Sequence, residues 1–221
     1  MSEVKNHIVL VGPPGSGKGT LAQELSKKLD LPVLTVSTVL KQAMQSDPQL
    51  KALAKSLMDQ GKFVPDSVIS EVIQQELKNR IYEKGVIFDG FPRTLAQADF
   101  FSDHQVVVDL FVVLEIEDAK IIERMSGRLV HPGSGRIYHE VNRPPKVAGI
   151  DDVSGEPLER RADDQPEIVA ARLKDYHALT SPIIKWGSAP NHPNVKHVIK
   201  LDGSQKPDDV LADFLTQVSQ L

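Results

Sequence analysis

The sequence contains no cysteine among its 221 residues. This absence excludes disulfide bonds, a thiol nucleophile and any zinc site built on thiolate ligands. Aromatic residues make up only 5% of the chain, and no apolar run approaches the roughly 18 residues that a membrane-spanning helix needs. The net charge is −4, so we do not expect a nucleic-acid partner, because such proteins carry a basic surface.

The composition is otherwise that of an ordinary globular domain, with 40% apolar and 25% charged residues. The amino-terminal residues lack the pattern of a secretory signal peptide. We therefore expect a cytoplasmic protein with no membrane partner. The length suits one domain with insertions, or a core with a mobile subdomain.

The most informative segment is residues 12–20, which read Gly-Pro-Pro-Gly-Ser-Gly-Lys-Gly-Thr after the apolar run 8–11. A buried strand that leads through glycines into a helix aims backbone N–H groups at one point, which suits an oligophosphate. The spacing fits the phosphate-binding loop, in which Lys18 reaches the outer phosphates. Residue 19 is Gly where most such loops have Ser or Thr, so phosphates and water would supply most ligands of a Mg²⁺ ion.

A second motif, residues 89–94, reads Asp-Gly-Phe-Pro-Arg-Thr and follows the buried strand predicted over 86–88. The carboxyl end of such a strand is where open α/β sheets bind ligands. Beside a phosphate loop, Asp89 would hold Mg²⁺ through its water shell. Arg93 offers a planar fork for a second phosphate.

Apolar runs alternate with helical patterns along the chain, which predicts an α/β fold with a parallel sheet. Together with the phosphate-binding loop, this indicates a fold of the P-loop NTPase type. The expected core is a parallel five-stranded sheet flanked by helices. The predicted strands are 7–11, 31–34, 86–88, 106–116 and 195–201. The predicted helices are 18–29, 37–45, 49–60, 67–78 capped by Asp66, 94–101, 118–128 capped by Asp118, 166–186 bent at Pro182, and 207–218.

Residues 129–165 break this alternation, because they are rich in Pro, Gly and charged residues. The stretch is too long for a simple connection in a compact core. We interpret it as an inserted lid.

Together these motifs resemble adenylate kinase, within the nucleoside monophosphate kinase family, in its long-lid form without zinc. The resemblance covers nearly the whole chain. Further segments that carry it are 125–128, 131–139, 144–146, 151–156, 161–164, 172, 176–177 and 202–205.

The resemblance implies a monomeric enzyme that transfers a phosphoryl group from MgATP to AMP and gives two ADP. It implies a core over 1–34, 65–126 and 165–221, a small helical acceptor-binding flap over 35–64 and a lid over 127–164. Closure of the flap and the lid would gate catalysis and keep water out.

The resemblance also implies roles for matching residues. The catalytic set would be Lys18, Arg93, Arg128, Arg161 and Arg172. ATP would contact Gly15, Ser16, Gly17, Lys18, Gly19, Thr20, Arg128, Ile137, Tyr138 and Gln205. AMP would contact Val36, Lys41, Lys62, Phe63, Val64, Gly90, Phe91, Arg93, Gln97, Arg161 and Arg172. Asp89 would meet Mg²⁺ through water.

One branch of the family binds zinc through four lid cysteines. The corresponding residues here are His131, Ser134, Asp151 and Ser154. Two hydroxyls are poor zinc ligands, so we expect a hydrogen-bonded cluster that stiffens the lid, and no zinc. A metal site built on His131 and Asp151 is the weaker alternative.

The flap departs from the family, which typically has Ser-Thr-Gly-Asp-x-x-Arg where residues 35–41 read Thr-Val-Ser-Thr-Val-Leu-Lys. Val36 lacks a hydroxyl and Thr38 lacks a carboxylate. Lys41 keeps a positive charge but loses the bidentate fork of Arg. We expect weaker acceptor binding or a slower chemical step. Gln97 favours AMP as the acceptor, since its amide can read adenine through two hydrogen bonds.

Two alternatives remain open. The altered flap is compatible with a kinase of UMP, CMP or GMP. It is also compatible with a nucleotide-binding sensor of low turnover. A P-loop GTPase is disfavoured, because no guanine-reading Asn-Lys-x-Asp run occurs in the chain.

Overall fold

The computed structural model describes residues 7–59, 64–141, 143–160 and 164–221. Its strands are β1 (His7–Val11), β2 (Val33–Thr35), β3 (Val86–Asp89), β4 (Val108–Glu115), β5 (Arg128–Val130), β6 (Ile137–His139) and β7 (Val195–Asp202). Its helices are α1 (Lys18–Leu29), α2 (Val36–Ser46), α3 (Pro48–Asp59), α4 (Asp66–Glu76), α5 (Leu95–Asp103), α6 (Asp118–Ser126), α7 (Pro166–Asp175), α8 (Ser181–Gly187) and α9 (Pro207–Val218).

The main sheet has five parallel strands in the order β2-β3-β1-β4-β7, which confirms the predicted fold class. β1 lies in the centre, with Ile8 in register with Ile87 on one side and Leu110 on the other. All carboxyl ends of these strands therefore meet at one edge. The loop after β1 and the motif after β3 leave the sheet side by side there.

Alternation along the strands builds an apolar core on each face of the sheet. Ile8 and Leu10 point to the side covered by α1 and α9, where they pack in one cluster with Leu25 and Phe214. Val9 and its neighbours on the other strands face the second cluster, which contains Phe88, Phe91, Phe100, Phe101, Phe111 and Ile183. Because both faces are covered, the central strands read as continuous apolar runs.

The lid segment contains a small antiparallel hairpin. β5 pairs with β6, so that Leu129 lies opposite Tyr138. Isolated bridges join Val130 to Glu159 and Ile150 to Pro157. The predicted insertion thus has a folded unit of its own over part of 127–164, while the boundaries of the lid and the flap stay predictions.

Several predicted boundaries are wrong. The strand expected over 31–34 is β2, which begins at Val33. Asp66 and Asp118 are first-turn residues rather than caps, since Pro65 and Glu117 hold the N-cap positions. Their carboxylates bind side chains distant in sequence, as described below.

The helix expected over 166–186 is also interrupted, because Tyr176–Thr180 forms a π-helical turn between α7 and α8. Pro182 cannot donate a backbone hydrogen bond, and its ring clashes with the carbonyl four residues earlier in a regular helix. A wider turn before it relieves that clash.

The part of the chain that the structure describes contains no helix with the length and apolar character of a membrane span.

Candidate functional site

The glycine-rich loop connects β1 to α1 and leaves the start of the helix open. Gly17 is the N-cap in a left-handed conformation (φ 95°) and provides no side-chain cap. Gly15 is also left-handed (φ 80°), and a Cβ atom on Gly12 would lie 2.8 Å from the carbonyl oxygen of Leu114. Only glycine meets these requirements without strain. The first N–H groups of α1 therefore face an anion-binding position.

Lys18 is the first residue of α1, and its side chain folds back over the loop. The ammonium group donates to the carbonyl oxygens of Gly12 (2.6 Å) and Pro13 (2.8 Å), with Ser16 Oγ at 3.4 Å. Burial lowers the pKa of Lys18 to about 8. The ammonium thus lies beside the loop that would hold a phosphate.

Three further charged residues lie near enough to this ammonium to affect its pKa. The nearby Asp89 carboxylate raises the pKa of Lys18, whereas Arg93 and Arg172 lower it. Asp89 ends β3, and burial raises its pKa against the opposing effect of the Lys18 and Arg93 charges. Arg93 donates from Nε to the carbonyl oxygen of Gly90 at 2.9 Å. Burial lowers the pKa of Arg93, and Asp89 opposes the shift. The structure thus brings Lys18, Asp89, Arg93 and Arg172 together from four segments.

Arg128 is held elsewhere, by an acidic partner. Its Nε donates to Asp164 Oδ2 at 2.7 Å, and its Nη2 donates to Asp164 Oδ1. Asp164 is buried. The predicted catalytic residue Arg161, and the predicted acceptor contacts Lys62 and Phe63, lie outside the described residues.

Among the predicted acceptor-side residues that the structure describes, few present a free polar group. Val36 and Val64 pack against the apolar core, and Lys41 is exposed on α2. Phe91 is fully buried among other phenylalanines, so only its backbone could meet a ligand. Gly90 has φ 77°. Gln97 is 5% exposed and bound at both ends of its amide.

The residues predicted to flank the donor base lie on the lid hairpin and in the loop after β7. Ile137 and Tyr138 are on β6, and the Tyr138 hydroxyl donates to Asp151 at 2.9 Å. Arg124 was missed by the sequence analysis. Its guanidinium donates to the carbonyl oxygens of Gly203, Ser204 (2.5 Å) and Gln205 (3.0 Å). One local feature could have identified Arg124, which is its place in the last turn of α6, four residues before Arg128.

The predicted hydrogen-bonded cluster in the lid is confirmed. His131 Nδ1 lies 2.7 Å from Ser134 Oγ, and Ser154 Oγ donates to Asp151 at 2.8 Å. Ser154 Oγ also lies 3.3 Å from His131 Nε2, and this contact links the His131–Ser134 pair to the Ser154–Asp151 pair. Asp151 is 1% exposed. The sequence analysis missed three members, which are Glu156, Arg136 and Tyr138.

These contacts leave little room for a metal. Both ring nitrogens of His131 are engaged, by Ser134 and by Glu156 (2.6 Å). Arg136 donates to both oxygens of Asp151, and this contact holds the pKa of Asp151 well below its usual range. Within the described part of the chain, no three His, Asp or Glu side chains form a group able to hold an ion.

A comparison with known families agrees with the loop, the motif after β3 and the lid. A family model described as adenylate kinase matches residues 10–190, which is most of the chain. That span includes the end of β1, the glycine-rich loop and the Arg93 segment. The chain therefore belongs to the adenylate kinase family and is a nucleotide-binding phosphotransferase.

Proposed function

We propose that the protein catalyses reversible phosphoryl transfer from MgATP to AMP, giving two molecules of ADP. The observation that carries this proposal is the convergence of Lys18, Asp89, Arg93 and Arg172 beside an open, glycine-rich helix start. Phosphoryl transfer needs little covalent help from a protein and depends on positioning and charge stabilisation. Three cations and one carboxylate at a phosphate loop meet that need without an acid–base pair.

In this proposal the loop residues 15–20 bind the donor phosphates. Their backbone N–H groups and the Lys18 ammonium replace the water around the phosphate oxygens. Arg93 binds the acceptor phosphate, and Arg172 neutralises charge on the transferring group. Arg128 and Arg161 join them when the lid over 127–164 closes, so their charges and the exclusion of water arrive together.

The residues near Asp89 fit a Mg²⁺ ion that arrives with ATP. A Cβ atom on Gly19 would lie 3.5 Å from Asp89 Oδ2, so the glycine leaves room beside this carboxylate. Mg²⁺ keeps several waters and uses one or two carboxylates together with substrate phosphates. Asp89 would hold the ion through water, and the ion would neutralise phosphate charge.

On the acceptor side, the flap over 35–64 would cover AMP, with Val36, Lys41, Lys62, Phe63 and Val64 near the nucleotide. Gly90, the backbone of Phe91 and Gln97 would lie on the core side. Ile137, Tyr138 and the loop at Gln205 would flank the donor base. We propose that the enzyme is a monomer that serves adenine nucleotide balance in the cytoplasm.

The flap residues favour two further candidates, which are a kinase of UMP, CMP or GMP and a nucleotide-binding sensor of low turnover. Thr38 has no carboxylate, and its hydroxyl oxygen accepts a hydrogen bond from the Thr35 hydroxyl (Oγ1 to Oγ1, 2.7 Å). Lys41 offers no planar fork. Both features predict weaker binding of AMP.

One assay separates these functions. Purified protein is mixed with MgATP and AMP, UMP, CMP, GMP or no acceptor, and ADP formation is followed. We expect turnover with AMP far above the others. Preference for another monophosphate would move the function to that acceptor, and ATP binding without any turnover would support the sensor.

A further inference from the structure

The side-chain amide of Gln97 is bound at both ends by groups of opposite character. Its Oε1 accepts the backbone N–H of Arg93 at 2.8 Å, and its Nε2 donates to Asp66 Oδ1 at 2.7 Å. Reversing the amide would set its NH₂ against an N–H group and its oxygen against a carboxylate. Two hydrogen bonds would become two repulsive contacts, so one orientation is enforced.

Asp66 is itself held in place from two directions. Its Oδ2 accepts the hydroxyl of Thr94 at 2.8 Å, and the same hydroxyl oxygen accepts the backbone N–H of Gln97 at 3.1 Å as the N-cap of α5. Asp66 lies in the first turn of α4, where the helix dipole favours a negative charge. We call Asp66, Thr94 and Gln97 the Asp66 cluster; it ties α4 to α5.

These contacts use only half of the hydrogen-bond donors and acceptors of the Gln97 amide. An amide has two N–H groups and two lone pairs, and the contacts above use one of each. No other residue in the described ranges bonds to the remaining N–H group and lone pair. These form a donor beside an acceptor, in an order that Asp66 and the Arg93 backbone dictate.

We propose that Asp66 is a specificity-determining positioning residue, which fixes the Gln97 amide so that the acceptor site takes a 6-amino purine and rejects a 6-oxo purine. This inference rests on the proposed function, in which Gln97 meets the acceptor base. Adenine presents a donor at its 6-amino group next to a ring-nitrogen acceptor. Hypoxanthine and guanine present the reverse order, an oxygen acceptor next to a ring N–H.

The fixed order matters because phosphate and ribose contacts hold the base in one place. A free amide would rotate and satisfy either purine, whereas a locked amide leaves the wrong purine with unpaired groups. Sites built to form a specific hydrogen bond discriminate strongly for this reason. Asp66 touches no nucleotide in this proposal and acts only through Gln97.

The test compares kcat/KM for AMP and for IMP, which differs from AMP at the 6-position without the 2-amino group of GMP. Asp66→Ala is expected to lower the ratio of AMP to IMP by about tenfold, the value of one hydrogen bond. KM for ATP should not change. Asp66→Asn keeps an acceptor for Gln97 and should retain most of the discrimination. Asp118→Ala is the matched control, since it removes another first-turn acid that bonds across helices, to His177.

An unchanged or higher AMP to IMP ratio in Asp66→Ala, with folding verified by thermal melting, would overturn the inference even if overall activity fell. If that variant does not fold, Thr94→Val should shift the ratio in the same direction by a smaller factor, and no shift would overturn the inference. Failure of the wild-type protein to phosphorylate AMP would instead contradict the proposed function.

Discussion

Asp164 grips the guanidinium of Arg128 at two points, with Arg128 Nε 2.7 Å from Asp164 Oδ2 and Nη2 bonded to Oδ1. The side chain of Asp164 is 5% exposed and that of Arg128 is 17% exposed. The pair joins the start of the lid hairpin to the segment that precedes α7. A residue predicted to be catalytic is thus anchored by a buried carboxylate.

Asp164→Asn should therefore destabilise the fold. Removing one partner of a buried, hydrogen-bonded ion pair leaves the other poorly solvated, and we expect a loss of about 1–3 kcal/mol in the free energy of unfolding. Urea denaturation measures it. Glu24→Gln, which breaks the exposed pair between Lys27 and Glu24, should cost less than about 0.5 kcal/mol. Equal small losses in both variants would contradict a stabilising role for the Arg128–Asp164 pair.

ATP binding should take up a proton at Lys18. Burial lowers the pKa of Lys18 to about 8, so at about pH 8.5 most of this group is neutral. Polyphosphate favours the ammonium and raises the pKa again. Titration calorimetry at about pH 8.5 in buffers of different ionisation enthalpy should give uptake of most of a proton.

Lys18→Arg is the control for this measurement, because a guanidinium stays charged throughout the range. It should bind ATP without that uptake, and its affinity should not fall with rising pH as that of the wild type does. The same uptake in both proteins would assign the proton to another group.

Asp151→Asn should loosen the lid. The carboxylate accepts hydrogen bonds from Arg136, Tyr138 and Ser154, and an amide cannot accept all of them. Hydrogen exchange should report faster opening of amides over 129–158. Asp152→Asn is the matched control, since Asp152 is exposed and its Oδ1 accepts one backbone N–H, which Asn also accepts. Equal protection in the two variants would contradict the central role of Asp151.

The lid should also lose stability at acid pH because Asp151 becomes protonated. Its pKa is held below the usual range by Arg136 and by hydrogen bonds from Ser154 and Tyr138. A depressed carboxyl pKa contributes stability that is present above the unfolded-state value, about 4, and is lost as pH falls through the folded-state value. Wild-type lid protection should decline below about pH 4, and Asp151→Asn should show a smaller decline over that window. An identical acid profile would exclude Asp151 as the cause.

Restoring the family pattern in the flap should improve the proposed reaction. The triple change Val36→Thr, Thr38→Asp and Lys41→Arg adds a hydroxyl, a carboxylate and a bidentate fork. If each new hydrogen bond contributes about 0.5–1.5 kcal/mol, kcat/KM for AMP should rise by about tenfold or more, with KM for ATP unchanged. Steady-state kinetics measures this change. The absence of any gain would show that the natural flap residues do not limit kcat/KM for AMP.

Local rules predicted the regular parts of the fold well. The bounds of α1 and α9 match the predicted 18–29 and 207–218, because apolar periodicity and a Gly or Pro at the start define them within the segment itself. The predictions failed where a distant partner decided the outcome. Asp66 is a good N-cap by its type, yet its carboxylate binds Thr94 and Gln97, about 30 residues further on.

The sequence by itself determined the order of strands and helices, the glycine-rich loop and the acidic motif after β3, since all of these depend on neighbours within a few residues. Only the tertiary structure decided which carboxylate holds Arg128, which carbonyl groups receive Arg124 and which way the Gln97 amide faces. Those choices join segments far apart in the chain. They depend on which polar groups remain unpaired when the sheet and its helices pack, and no local pattern encodes that.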